Sequence, residues 1–301
     1  MADHEKLTTV SKNDGVAVEK TLKLPLRHYT ISRLYGPGMP ASGQEGFHEH
    51  MLEKPVGQVG LVAVHCWNLG EETGPYPIGP DAHCPGEPAD WVPTAHEIVA
   101  DKIKPVLDTA RNASIPVFHL AQYVYAPRYP KYLEIADDPD LNAPKDSGES
   151  MNDIEGCVRP LSFEERWLEE YGPDYPGPVW ITHADQFDIA EAVRPLPDEY
   201  VYLDGWQLNG LCRRLDIDTL IYVGFMADLC LLNIPGALRE MANKFKYRCV
   251  VLRDCTVAYE YPDTVEGNFM TRAAIRHIET DLGYSASSED FISAARNANG
   301  A

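Results

Sequence analysis

Leu220-Ile221-Tyr222-Val223-Gly224-Phe225-Met226-Ala227-Asp228-Leu229-Cys230 holds four apolar residues, a glycine, a short connection and a thiol. A strand that is apolar on both faces, here Asp218 to Gly224, belongs at the centre of a parallel sheet. Asp228 to Lys244 carries helical spacing, and Pro235 is expected to bend it. Cys230 therefore falls in the opening turn of a helix. Backbone N–H groups have no intrahelical partner there, and the dipole favours a thiolate.

The same alternation recurs outward from this stretch. Gln58–Cys66, Ile115–Leu120, Glu199–Leu203 and Tyr247–Arg253 read as further strands. Thr94–Ala113, Gly205–Leu215 and Asp263–Leu282 have helical periodicity, with Thr94 and Glu97 spaced as a capping box. Repeated strand–helix units predict a three-layer α/β/α sandwich with a mostly parallel, doubly wound sheet of about six strands. Residues 1–58 read as an N-terminal extension, with Val16–Leu24 as an edge strand or hairpin. Residues 59–301 form one domain with a long insertion at about 122–198, in which Ser162–Tyr171 is a short helix. An insertion of that length serves as a lid or an oligomer contact more often than as idle loop.

The chain has 301 residues, 44% of them hydrophobic, and a formal net charge of −20. So acidic a chain repels phosphate backbones and anionic lipid, which excludes nucleic acid and membrane surfaces as partners. No apolar run approaches the roughly 20 residues of a membrane span. Seven cysteines without a CxxC pair point to reduced thiols in a cytoplasmic protein. The sequence contains no G-x-S-x-G elbow, phosphate-binding loop or G-x-G-x-x-G turn.

The stretch Leu215–Cys230 with Val250–Asp254, and the weaker Gly60–Asn68, resemble the isochorismatase-like or cysteine hydrolase family, which includes nicotinamidases and N-carbamoylsarcosine amidase. The resemblance covers about 59–121 and 199–285. It implies a hydrolase acting on a C–N bond of a small amide or related carbonyl compound, as a homo-oligomer; no cofactor is expected. It also implies an Asp–Lys–Cys triad, with Cys230 as nucleophile. A non-proline cis bond, here Met226–Ala227, and an oxyanion hole of the Ala227 and Cys230 N–H groups would accompany it.

Two of the three catalytic positions depart from that pattern. His65 stands where the Asp is expected, and no lysine occurs between Lys145 and Lys244. His65 is then the candidate base for Cys230, since a neutral imidazole accepts a thiol proton. Trp67, Asn68, Gln122, Tyr123, Trp206 and Met226 follow strand ends, where open α/β sheets bind ligands, and are the candidate substrate pocket. Asp81, His83 and His96 offer a metal alternative of the nicotinamidase kind; loop histidines of this sort are usually solvated, and no metal is expected. The competing reading is an inactive hydrolase fold that binds a small aromatic or apolar ligand or serves as an oligomeric partner.

Overall fold

The computed structural model describes residues 20–31, 44–76, 91–142, 163–173 and 183–300. One eight-stranded sheet runs through them. Its strands are β1 (Thr21–Ile31), β2 (Gln44–Pro55), β3 (Val59–Val64), β4 (Val117–Leu120), β5 (Tyr200–Tyr202), β6 (Thr219–Gly224), β7 (Arg248–Leu252) and β8 (Tyr284–Ala286). Their order is β2-β1-β8-β7-β6-β3-β4-β5. Strands β3 to β8 pair in parallel, whereas β1 pairs antiparallel with both β2 and β8.

Alternation along the central strands builds two cores. Leu61 and Ala63 of β3, Ile221 and Val223 of β6, and Val250 and Leu252 of β7 face one side. They pack with α1 (Trp91–Ile98), α2 (Lys104–Asn112) and the C-terminal helix α9 (Ser288–Gly300). Val62, Val64, Leu220, Tyr222 and Val251 face the other side. They pack with α3 (Pro130–Ala136), α5 (Gly205–Leu215), α6 (Cys230–Asn233) and α7 (Leu238–Asn243). Two further helices are α4 (Phe163–Tyr171) and α8 (Phe269–His277). Both faces of the sheet are covered, which is why these strands carry no polar alternation. The three-layer α/β sandwich expected from sequence is the fold.

Several boundaries differ from the sequence reading. The sheet has eight strands, not about six, because β1 and β2 extend it and the three-residue β8 closes the gap to them. Residues 16–19 of the anticipated edge strand lie outside the described residues. Thr94 sits inside α1 and caps nothing. The anticipated helix Asp228–Lys244 is two short helices. Pro235 has no N–H to continue the first, and Gly236 has φ +79° and its carbonyl accepts from the Tyr202 hydroxyl at 3.1 Å. The helix expected from Asp263 begins at Phe269, where the Glu260 carboxylate accepts from the Met270 and Thr271 N–H groups at 3.1 and 2.8 Å.

Candidate active site

Cys230 lies just beyond the C-terminal end of β6. Gly224 ends that strand with φ +108°, and the peptide Phe225–Met226 is cis. The expected position of the cis bond, Met226–Ala227, is therefore one residue too late. Three backbone hydrogen bonds hold the turn. Gly224 N–H donates to the Cys255 carbonyl at 2.9 Å, Phe225 N–H to Val64 at 2.9 Å, and Ala227 N–H to Val257 at 3.0 Å. The turn is thus tied to the end of β3 and to the segment that follows β7.

The bond from Ala227 to Val257 removes Ala227 from the expected oxyanion hole, because its N–H already has an acceptor. Among the described residues the N–H groups of Met226, Asp228 and Cys230 have no backbone acceptor. The Met226 N–H faces the Cys230 sulfur. The sequence signal was present but one step off: the cis bond is at 225–226, and the amide beside the thiol is that of Met226.

The Cys230 thiol is partly buried. Burial pushes it up to about 11; the Met226 N–H pulls the other way, and the Asp228 carboxylate adds to the rise. A four-residue helix supplies too little dipole to reverse this. The helix-start thiolate expected from sequence is a neutral thiol in the free protein.

His65 follows β3 with φ +45° and is buried, its ring stacked on Trp67 with centroids 4.8 Å apart. Burial drives the ring down to about 3, against a small opposing effect of the Ala121 carbonyl, so it is uncharged. Neither ring nitrogen has a hydrogen-bond partner. Hence no hydrogen bond joins His65 to Cys230 in this state. A thiol near 11 keeps its proton against a ring near 3 by a wide margin.

The other sequence-selected residues divide into two groups. Trp67 and Met226 are buried at the strand ends, with the Trp67 Nε1–H donating to the Tyr125 hydroxyl at 3.1 Å. Asn68 is a staple rather than an open pocket wall. Its amide donates to the Gln186 carbonyl and its side-chain oxygen accepts from Asp188 N–H, both at 3.0 Å. Those contacts pin the end of the insertion, whose Phe187, Ile189 and Val193 enter the core. Gln122 is partly exposed, and Tyr123 is 79% exposed. Trp206 meets Phe245 edge-on at 5.4 Å with the Lys244 ammonium over its ring, in the helical layer beside α7 rather than with Trp67.

Where the lysine was sought, after β5, stands Asp204. It caps α5 by accepting from Gln207 N–H at 3.0 Å, and burial raises its carboxyl. Asp81 and His83 lie outside the described residues. His96 is bonded through Nδ1 to the Leu69 carbonyl at 2.7 Å. Among the described residues no three His, Cys, Asp or Glu side chains converge as a metal site.

A family model described as the isochorismatase domain matches residues 87–290. Among solved structures, the chain is similar to a cysteine hydrolase from Pseudomonas syringae pv. phaseolicola 1448A, with 17% identity, 81% of this chain and 94% of that one covered, and a TM-score of 0.47. It is also similar to N-carbamoylsarcosine amidase from Thermoplasma acidophilum, with 18% identity, coverage of 77% and 97%, and a TM-score of 0.39. No curated protein sequence matches it.

Proposed function

The chain belongs to the isochorismatase family of hydrolases, and from that premise we propose that it hydrolyses a C–N bond in a small amide or related carbonyl compound through Cys230. The observation that carries this is a partly buried thiol beside the Met226 and Cys230 N–H groups, two of the three at this turn that have no backbone acceptor. Donors aimed at a developing oxyanion are the largest single contribution in acyl transfer.

In this reading Cys230 Sγ attacks the carbonyl carbon. Negative charge grows on the carbonyl oxygen against the Met226 and Cys230 N–H groups. His65, neutral and with unclaimed ring nitrogens, takes the thiol proton and returns it to the departing nitrogen. Water then cleaves the thioester, releasing the acid and restoring the thiol. Because the free thiol and ring are both neutral, proton transfer belongs to the substrate complex. Trp67 and Met226, both buried, would supply the apolar side of the substrate pocket in this reading. The protein is read as a cytoplasmic homo-oligomer in which 59–301 is the hydrolase domain, in keeping with five described cysteines that are all free.

One observation favours a second reading, binding without turnover. A carboxylate, Asp204, occupies the region where a cation would support catalysis, and His65 makes no bond to Cys230. A panel of primary amides, ureides and hydroxamates separates the two. Turnover that falls by about a thousandfold in Cys230→Ser and about a hundredfold in His65→Gln supports the hydrolase. Ligand binding without product, unchanged by Cys230→Ser, supports the second reading.

A further inference from the structure

At the opposite end of the sheet from Cys230 lies a groove of about 510 Å³. Arg248 opens β7 and Tyr284 opens β8, so the groove sits at the N-terminal ends of the parallel strands. Its third wall is the end of β1, with His28 and Tyr29. That wall lies outside the residues matched by the family model.

The groove's charges are unequally satisfied. Glu279 is held by Arg27 at 2.7 Å and by the Ser285 hydroxyl at 2.6 Å, with Arg276 at 3.7 Å. Asp281 is bonded to His277 at 3.2 Å. Asp218, whose charge reaches Arg248, is bonded to Lys54 and to the Thr219 hydroxyl. Each carboxylate near the groove therefore has its own bonded partner. Lys246 and Arg248 form no ion pair and no side-chain hydrogen bond among the described residues. Lys246 is held with φ +67°, in the left-handed region that a lysine seldom adopts.

Imidazoles continue the basic wall. His28 stacks on His48 with centroids 5.5 Å apart, and His28 and His50 both meet the Tyr284 ring edge-on, at 5.7 and 5.0 Å. His28 Nδ1 is buried without a partner. Burial, then the charges of His28 and Arg248, hold His50 below the ordinary histidine range. In a chain of net charge −20, two unpaired cations beside three imidazoles and a tyrosine face form a distinct local environment.

We propose that this groove binds a small phosphate monoester, its phosphate held between Lys246, Arg248 and His28 and its organic part against Tyr284. Arginine presents a planar fork to phosphate oxygens, lysine adds a point charge, and the aromatic face takes a flat substituent. The volume suits a small organic ligand. The site is separate from the thiol and does not depend on the hydrolase reading.

Titration calorimetry with phenyl phosphate on the full chain, with benzoate at matched ionic strength as the carboxylate control, tests the proposal. Saturable one-to-one binding of phenyl phosphate is expected, at least tenfold tighter than benzoate. It should weaken at least tenfold in Arg248→Gln and in Lys246→Asn, a change that keeps a residue tolerant of the left-handed backbone. Arg248→Lys should fall between Arg248→Gln and the wild type, and Cys230→Ser should retain all of the affinity. Absence of saturable phenyl phosphate binding overturns the proposal. So does wild-type affinity in Arg248→Gln, or benzoate binding equal to phenyl phosphate.

Discussion

Gly224 and Val64 approach so closely that a Cβ on Gly224 would stand 2.0 Å from the Val64 carbonyl oxygen. That same oxygen accepts the Phe225 N–H at 2.9 Å. The end of β6 is thereby locked to the end of β3, and the turn that carries Cys230 is positioned relative to the residue after Val64, which is His65. Gly224→Ala would put backbone against backbone at φ +108°, with no flexible side chain to yield. It is expected to cost about 3 kcal/mol or more, or to prevent folding, as read by urea denaturation. A loss below 1 kcal/mol would show that the turn can move away from β3.

Cys230 offers a chemical test of its surroundings. Cys66, Cys212, Cys249 and Cys255 are buried, and Cys230 is the most accessible of the described thiols. With its thiol near 11, alkylation by iodoacetamide at pH 7.5 should be slower than that of a free cysteine, because little thiolate exists. The rate should still be rising about tenfold per pH unit between pH 8 and 10. A plateau below pH 8 would mean that the free protein already holds a thiolate. Turnover, if substrate binding assembles the proton path, should not share this pH profile.

The sequence carried the fold where burial leaves a simple trace. The central strands β3, β6 and β7 are apolar on both faces, so Leu61–Val64, Leu220–Val223 and Val250–Leu252 were readable without any partner. β2 was not, because it is an exposed edge strand in which Phe47 and Met51 alternate with His48 and His50, and the pattern is mostly polar. β8 is three residues long, below what periodicity resolves. At the site, the apolar strand, glycine and thiol made Cys230 legible. The choice between Ala227 and Met226 was not, since it turns on which N–H the segment after β7 captures, a long-range contact to Val257. The staple role of Asn68 was hidden for the same reason, as its partners lie 118 and 120 residues away.

Tyr125 and Trp67 share a buried hydrogen bond that supports the His65 ring through the stack on Trp67. Tyr125→Phe removes the acceptor and leaves the indole N–H unpaired in an apolar core. A cost of about 1–3 kcal/mol is expected. The double variant Tyr125→Phe with Trp67→Phe should recover part of that cost at the donor, after allowance for the lost indole volume. An unchanged melting temperature in Tyr125→Phe would indicate that water or another group replaces the hydroxyl.

Acid sensitivity follows from two buried histidines and one buried carboxylate. His65 sits at about 3 in the folded chain against an ordinary 6.5, so the unfolded state binds its proton first. Its stability contribution is complete above about pH 6.5 and is lost as pH falls toward 3, at roughly 1.4 kcal/mol per unit. Burial also lowers His119, although its Nε2–H donates to Glu199 at 3.0 Å. Glu199 runs in a lower window. Burial opposes its ionisation, but the hydrogen bonds from His119 and Arg111 prevail and hold it at about 2, so its contribution is lost between about pH 4.5 and 2. Relief of repulsion in so acidic a chain works the other way as pH falls, which makes the wild-type curve alone a poor measure. The difference between wild type and His65→Phe isolates the ring. Urea denaturation from pH 7.5 to 5 should show the wild type losing about 1.4 kcal/mol per pH unit relative to the variant below pH 6.5. A constant difference across that range would mean that His65 is protonated, or solvated, in the folded protein.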